Sequence, residues 1–203
     1  MHLILIRHGE TDWNNERRIQ GHTDTPLNLC GIEQAHKLAF RLVEEKLDTL
    51  YASPLSRARM TAEIIGQKCG LVPILDERLK EKGLGDFEGL TAEELQERHP
   101  ELYHGWVNSK EHFPLPNEEP LIALHERIQA FLADLHAAHP NGSQIGIVSH
   151  GGTVGTLVGM LIGLELNRRS PFWFDNASVT QVDLSGSRPR IRLLNDTCHL
   201  HDK

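Results

Sequence analysis

The sequence predicts an open α/β fold built on a parallel sheet, and two short stretches carry that expectation. Leu3-Ile4-Leu5-Ile6 and Ile145-Gly146-Ile147-Val148 are apolar runs with no polar partner, the pattern of strands buried on both faces. Amphipathic stretches separate them, with apolar residues recurring every three or four positions as on one buried helical face. Open α/β sheets place ligands beyond the carboxyl ends of their strands. The first run leads into Arg7-His8-Gly9-Glu10 and the second into Ser149-His150-Gly151-Gly152. Each strand is therefore expected to deliver a histidine to one edge.

The elements follow in order. Thr11–Pro26 has no steady period and ends in turn chemistry, so it reads as a long loop beside a strand end, a common place for function. Asn28 can cap a helix whose inner face is Ile32, Ala35, Leu38, Ala39 and Leu42. Thr49–Ala52 is a short strand stopped by Ser53-Pro54, and a helix follows from about Ser56 with Ala58, Ala62 and Ile65 inward. Arg57 and Arg59 stand in its first turn. Helix starts attract anions, so Arg57 is expected to strengthen an anion site there, with Arg59 left in solvent. Gly70–Ile74 reads as an edge strand because of Pro73. If Leu79–Lys82 is extended, Glu81 shares a face with Leu79 and turns away from Lys80 and Lys82.

Gly85–Gly89 reads as a turn, and Thr91–Glu94 as a capping box opening a short helix. His99–Glu118 reads as an irregular aromatic excursion, either covering a cleft or packing Tyr103, Trp106 and Phe113 as a satellite apolar cluster under a surface loop; over a cleft, these would join Trp13 and Ile19 in a partly apolar rim. Leu121, Leu124, Ile128, Phe131, Leu132 and Leu135 mark an amphipathic helix, and another is expected from about Thr153 to Ile162. Ser178–Leu184 and Arg190–Leu194 alternate as a hairpin around Ser185-Gly186-Ser187, and this edge is the candidate surface for a homodimer. Residues 1–203 are read as one domain, with about 83–138 lying over the cleft.

Composition limits the function. An apolar content of 39% and a charged content of 24% suit a globular chain. The net charge of −7 argues against a general nucleic-acid binder. No stretch is long enough to span a bilayer, so no membrane partner is expected. No basic segment leads into an apolar one at the start, and three widely spaced cysteines form neither a disulfide framework nor a CxxC pair. A cytoplasmic setting is expected. Cys198-His199-Leu200-His201 has no third region of matching ligands, so no metal site is expected and nothing demands a cofactor.

Arg7, His8, Arg57, Glu81 and His150 all fall at element ends, where one sheet edge could collect them. Two arginines, two imidazoles and a glycine-rich helix start at Gly151-Gly152 make a concentrated anion site in an acidic protein. An imidazole among them allows more than binding. His8 can attack phosphorus to give a phosphohistidine that water then hydrolyses. Glu81 can supply the proton the departing alkoxide needs, and a dianionic phosphate beside a carboxyl favours its protonated form. The arginines would stabilise charge on the equatorial oxygens.

Leu5-Ile6-Arg7-His8-Gly9-Glu10-Thr11 resembles the signature of the histidine phosphatase superfamily, the phosphoglycerate-mutase-like group. The resemblance runs along nearly the whole chain. It continues through Asn14, Gln20-Gly21 and Asp24-Thr25-Pro26-Leu27, then Ser53-Pro54-Leu55-Ser56-Arg57-Ala58, Arg78-Leu79-Lys80-Glu81 with Gly85–Gly89, and Val148–Gly152. It implies a three-layer α/β/α sandwich with a mostly parallel sheet. It also implies His8 as the phosphorylated nucleophile, with Arg7, Arg57 and His150 as phosphate ligands and Glu81 as proton donor. Asn14, Gln20, Gly21 and Gly151 match positions near the phosphate or substrate. The branch resembled holds broad-specificity and α-ribazole phosphatases, so a metal-independent phosphomonoesterase acting on a small molecule is expected. The alternative is a cofactor-dependent phosphoglycerate mutase using the same His8. Its relatives carry paired arginines in the covering excursion, where residues 99–120 offer only Lys110. At Asn117-Glu118-Glu119-Pro120, many relatives have Gly-Glu-Ser, and this chain keeps only Glu119.

Overall fold

The computed structural model describes residues 1–168 and 170–201. Its strands are β1 (His2–Arg7), β2 (Thr49–Ala52), β3 (Ile74–Leu75), β4 (Gln144–Ser149), β5 (Val179–Asp183) and β6 (Arg190–Asp196). Its α-helices are α1 (Asp12–Asn15), α2 (Leu29–Leu42), α3 (Ser56–Cys69), α4 (Ala92–Arg98), α5 (Pro100–Asn108), α6 (Leu121–Ala138) and α7 (Gly151–Ile162). The strands form one sheet in the order β3-β2-β4-β1-β5-β6. β3, β2, β4 and β1 are parallel, and β5 and β6 join antiparallel at the β1 side.

Period-two alternation in β1 builds the three layers. Leu3 and Leu5 pack with Ile145 and Ile147 of β4 against α6 and α7, through Ile128, Phe131, Val154 and Leu157. Ile4 and Ile6 face the opposite side, against Leu38 and Leu42 of α2 and Ala62 and Ile65 of α3. All four β1 residues are 0–1% exposed, and burying each is worth about 1.5–3 kcal/mol. The fold is therefore an α/β/α sandwich with a mostly parallel central sheet. In-register pairing of Arg7 with Ser149 ends β1 and β4 together, so His8 and His150 leave the sheet side by side.

Three local expectations need correction. The 70–74 strand is only Ile74–Leu75, because the Leu71 amide closes the end of α3 on Gly66 O and Pro73 has no N–H for a ladder. His99–Glu118 is not wholly irregular. Pro100 sits at the start of α5, where its missing N–H costs no helical bond. The turn before Glu81 is a 3-10 helix, Glu77–Leu79, and the chain extends only at Lys80. The Thr91–Glu94 capping box and the Asn28 cap form as expected.

A separate small cluster covers one side of the sheet edge. Phe87, Leu95 and Leu115 are its buried centre, with Ile19, Tyr103, Trp106 and Phe113 packed around them. Of the two readings of the excursion, the satellite apolar cluster is therefore the one that forms, its aromatics mainly burying one another. A thin layer outside the main core can remove its apolar area from water only in that way.

Candidate active site

His8 is held by its backbone and by one ring nitrogen. Its N–H donates to Ser149 O at 2.9 Å, and its carbonyl accepts from Ala177 N at 3.0 Å. Nδ1 lies 2.6 Å from the Gly9 carbonyl. A carbonyl only accepts, so Nδ1 carries the proton and Nε2 keeps its lone pair. Burial, then the charges of Arg7 and Arg57, hold the His8 pKa well below the usual 6.5, so the ring is neutral at neutral pH. The α2 start packs hard against the following loop. A Cβ on Gly31 would lie 2.0 Å from Glu10 O, which excludes any side chain there.

Arg57 is fully buried. Its Nη1 and Nη2 donate to Thr23 O and Gly21 O, both at 2.8 Å, and its Nε donates to His150 Nδ1 at 3.2 Å. A guanidinium has five N–H groups, so one remains on each terminal nitrogen. Burial lowers the Arg57 pKa to about 10, opposed by Glu81 and Asp24, which leaves it charged. The loop that supplies these carbonyls rests on Glu88, whose carboxylate accepts from the amides of His22, Thr23 and Leu84 and from the Thr23 hydroxyl. Those bonds hold the Glu88 pKa below the usual carboxylate value.

Arg7 donates from Nη1 to Phe174 O at 2.5 Å, while its buried Nε has no hydrogen-bond partner among the described residues. Burial lowers its pKa, opposed by Glu81 and Asp175. Such an unpaired buried donor costs about 1–3 kcal/mol, a deficit an anion would remove. Gly151 lies against this guanidinium, with a Cβ position 3.6 Å from Nε. His150 stacks at a tilt on His8, ring centroids 5.1 Å apart. Arg57 donates to its Nδ1, so Nε2 carries the proton and donates to Ser53 Oγ at 2.8 Å. Both ring nitrogens of the expected phosphate ligand are thus engaged by protein groups. Burial, then the charge of Arg57, keeps His150 neutral.

Glu81 closes the other side. Oε2 accepts from Gly152 N and Oε1 from Thr153 N, both at 3.0 Å, while the Thr153 hydroxyl donates to Lys80 O at 2.7 Å. Two amides of the glycine-rich helix start, Gly152 N and Thr153 N, are therefore taken by Glu81, while Gly151 lies against Arg7. A carboxylate from a distant segment caps this start, because free amides and a helix dipole favour the nearest negative group. The start of α3 is filled in the same way, by Asp24 accepting from Ser56 N at 2.7 Å. Arg127 of α6 holds the peptide around Glu81, donating to Arg78 O and Glu81 O while clamped by Glu119.

Asn14 and Gln20 are placed differently. Asn14 Oδ1 accepts from Thr11 N and from Asn176 Nδ2, each at 3.1 Å, beside the His8 peptide. Gln20 Oε1 accepts from Thr25 Oγ1 at 2.6 Å, and Gly21 acts through its carbonyl. Ser53, Glu88, Arg127, Thr153 and Asn176 escaped notice as separate site residues. Ser53 and Glu88 stand inside the motifs already quoted, Ser53 as a strand stop and Glu88 within Gly85–Gly89. The others reach the site from helices and loops far along the chain, which periodicity does not reveal. Cys198 and His199 lie instead beside Arg41 and Asp196.

Beyond Gly152 and Lys82 opens a cavity of about 270 Å³ between α6 and α7, with Trp106, Leu121, Leu124 and Met160 on its walls. Of the expected aromatic rim, Trp106 alone lines it among the described residues.

Residues 3–197 match the histidine phosphatase superfamily (branch 1). Phosphoserine phosphatase 1 of Hydrogenobacter thermophilus is 35% identical over 198 residues, covering 98% of this chain and 93% of that one. Phosphoglycerate mutase-like protein 4 of Arabidopsis thaliana is 40% identical over 207 residues, covering 98% and 87%. The crystal structure of the α-ribazole phosphatase from Shigella flexneri superposes with a TM-score of 0.84 at 32% identity, covering 97% and 96%. The chain belongs to the histidine phosphatase superfamily. It is a phosphatase of that class, with no helix among the described residues long and apolar enough to cross a membrane.

Proposed function

We propose that the protein hydrolyses small phosphomonoesters through a phosphohistidine on His8. The observation that carries this reading is the neutral His8 ring, with Nδ1–H fixed on Gly9 O and its free Nε2 set among Arg7 and Arg57. Nε2 attacks phosphorus as the bond from phosphorus to the ester oxygen breaks, and Glu81 gives that oxygen its proton. Glu81 then takes a proton from water, whose oxygen attacks phosphorus and frees His8 and inorganic phosphate. Arg7 and the two remaining Arg57 N–H groups stabilise the equatorial oxygens. His150 acts mainly by holding Arg57 and packing against the nucleophile.

The cavity supports an ester carrying an aryl or alkyl group. The charges on its wall are paired, with Lys82 and His112 both on Glu118 at 2.7 and 2.6 Å, so a neutral group fits better than a charged one. Three free cysteines fit a cytoplasmic setting, and the negative net charge fits a small ligand better than nucleic acid. The likeness to a phosphoglycerate mutase-like protein favours a mutase as the second reading. Against it, Lys110, the one lysine or arginine of residues 99–120, is exposed and lies outside the cavity wall.

Purified protein is expected to hydrolyse an aryl phosphate with excess chelator present, and His8→Ala to abolish turnover. Glu81→Ala is expected to slow esters with poor leaving groups most. Chelator-sensitive activity or an active His8→Ala overturns the mechanism. Mutase activity that needs added bisphosphoglycerate and outpaces hydrolysis establishes the second reading.

A further inference from the structure

Asn176 belongs to none of the motifs that carry the chemistry, yet its amide reaches three atoms of the site. Nδ2 lies 3.2 Å from His8 O, 3.3 Å from Gly9 O and 3.1 Å from Asn14 Oδ1. The Thr11 N–H also meets the Asn14 amide, at 3.1 Å, and can only donate, so the Asn14 atom it meets is oxygen. The Asn176 atom facing that oxygen is therefore its nitrogen. With Oδ1 taken from both sides, Asn14 Nδ2 is turned away and has no hydrogen-bond partner among the described residues. We propose that Asn176 is a positioning residue that aims the Asn14 amide at the phosphoryl group, a proposal that rests on the phosphatase reading of the site.

The reason such a tie is needed lies in α1. This helix is one turn long and buries none of its own residues, so packing does not fix it to the sheet. Asn176 links it to the His8 peptide directly. The loop holding Asn176 is fixed on both sides. Ala177 N donates to His8 O from a left-handed backbone, φ 55°. Asp175 is gripped by Asn195 through two bonds, Asp175 N to Oδ1 at 2.7 Å and Asn195 Nδ2 to Asp175 Oδ2 at 2.8 Å. Nucleophile and Asn14 are thus referred to one rigid point on the β5–β6 side of the sheet.

The test is a double-mutant cycle on kcat/KM for an aryl phosphate and on inhibition by orthovanadate. Asn176→Ala is expected to lower kcat/KM by about 10-fold, the scale of a small misplacement of a catalytic donor, and to weaken orthovanadate in parallel. In the Asn14→Ala background the same change is expected to cost less than about 2-fold. Equal losses in both backgrounds would mean that Asn176 only supports its loop, and would overturn the proposal, as would a folded Asn176→Ala within about 2-fold of the parent. If Asn176→Ala fails to fold, Asn176→Asp carries the same cycle, since it keeps the shape but sets an oxygen against Asn14 Oδ1. Hydrolysis that survives His8→Ala would instead fault the reading of the site, whatever Asn176 does.

Discussion

At the sheet edge the fully buried Arg57 closes on the carbonyls of Gly21 and Thr23, whereas on the covering side Lys82 and His112 share one carboxylate, Glu118. The first arrangement anchors a charge on neutral backbone dipoles and leaves its excess positive field for a ligand. The second sets the Glu118 carboxylate directly against the Lys82 ammonium. The apolar parts differ in the same sense. His8 and His150 leave strands gripped by the two main core clusters, while the cover rests on its own small cluster around Phe87. Under the proposed function, the charge-stabilising site would be held by the rigid core and the surface meeting the variable part of a substrate would be held separately.

The largest expected effect tests that separation in the cover. Phe87 is 1% exposed, and Phe87→Ala is expected to destabilise its cluster by about 3–5 kcal/mol. Hydrogen exchange should show the loss over α4 and α5 with β1 and β4 still protected. Uniform loss across the sheet would show the two regions to be one cooperative unit. At the sheet edge, Arg57→Lys keeps the charge but cannot span both carbonyls and His150. It is expected to lower kcat by about 100-fold and to lower the melting temperature as well, because buried carbonyls lose their donors.

Acid should act on the sheet edge first. Below the usual histidine value of 6.5 the unfolded chain binds protons that neutral, buried His8 and His150 refuse. Stability therefore rises with pH up to about 6.5 and falls below it, by as much as about 1.4 kcal/mol per pH unit for each histidine. Denaturant midpoints at pH 7 and pH 5 measure this, and a midpoint unchanged at pH 5 would contradict the neutral pair.

Much of this was legible in the chain because it depended on local order. The uninterrupted aliphatics of Leu3–Ile6 mean burial on both faces wherever they fold. The parallel sheet, the two histidines at its edge and the arginine at the start of α3 follow from residue types beside element ends. Capping signals at Asn28 and Thr91 worked for the same reason, since donor and acceptor are three residues apart. What only the tertiary structure decided is where each charge points and what holds it. Glu81 caps a helix some seventy residues later, Asn176 reaches back to Asn14 across the sheet, and the aromatics of the excursion turn onto Phe87. Hydrogen bonds and aromatic contacts between distant segments satisfy whatever partner the fold brings near, and that pairing is set by three-dimensional proximity, which spacing along a chain does not encode.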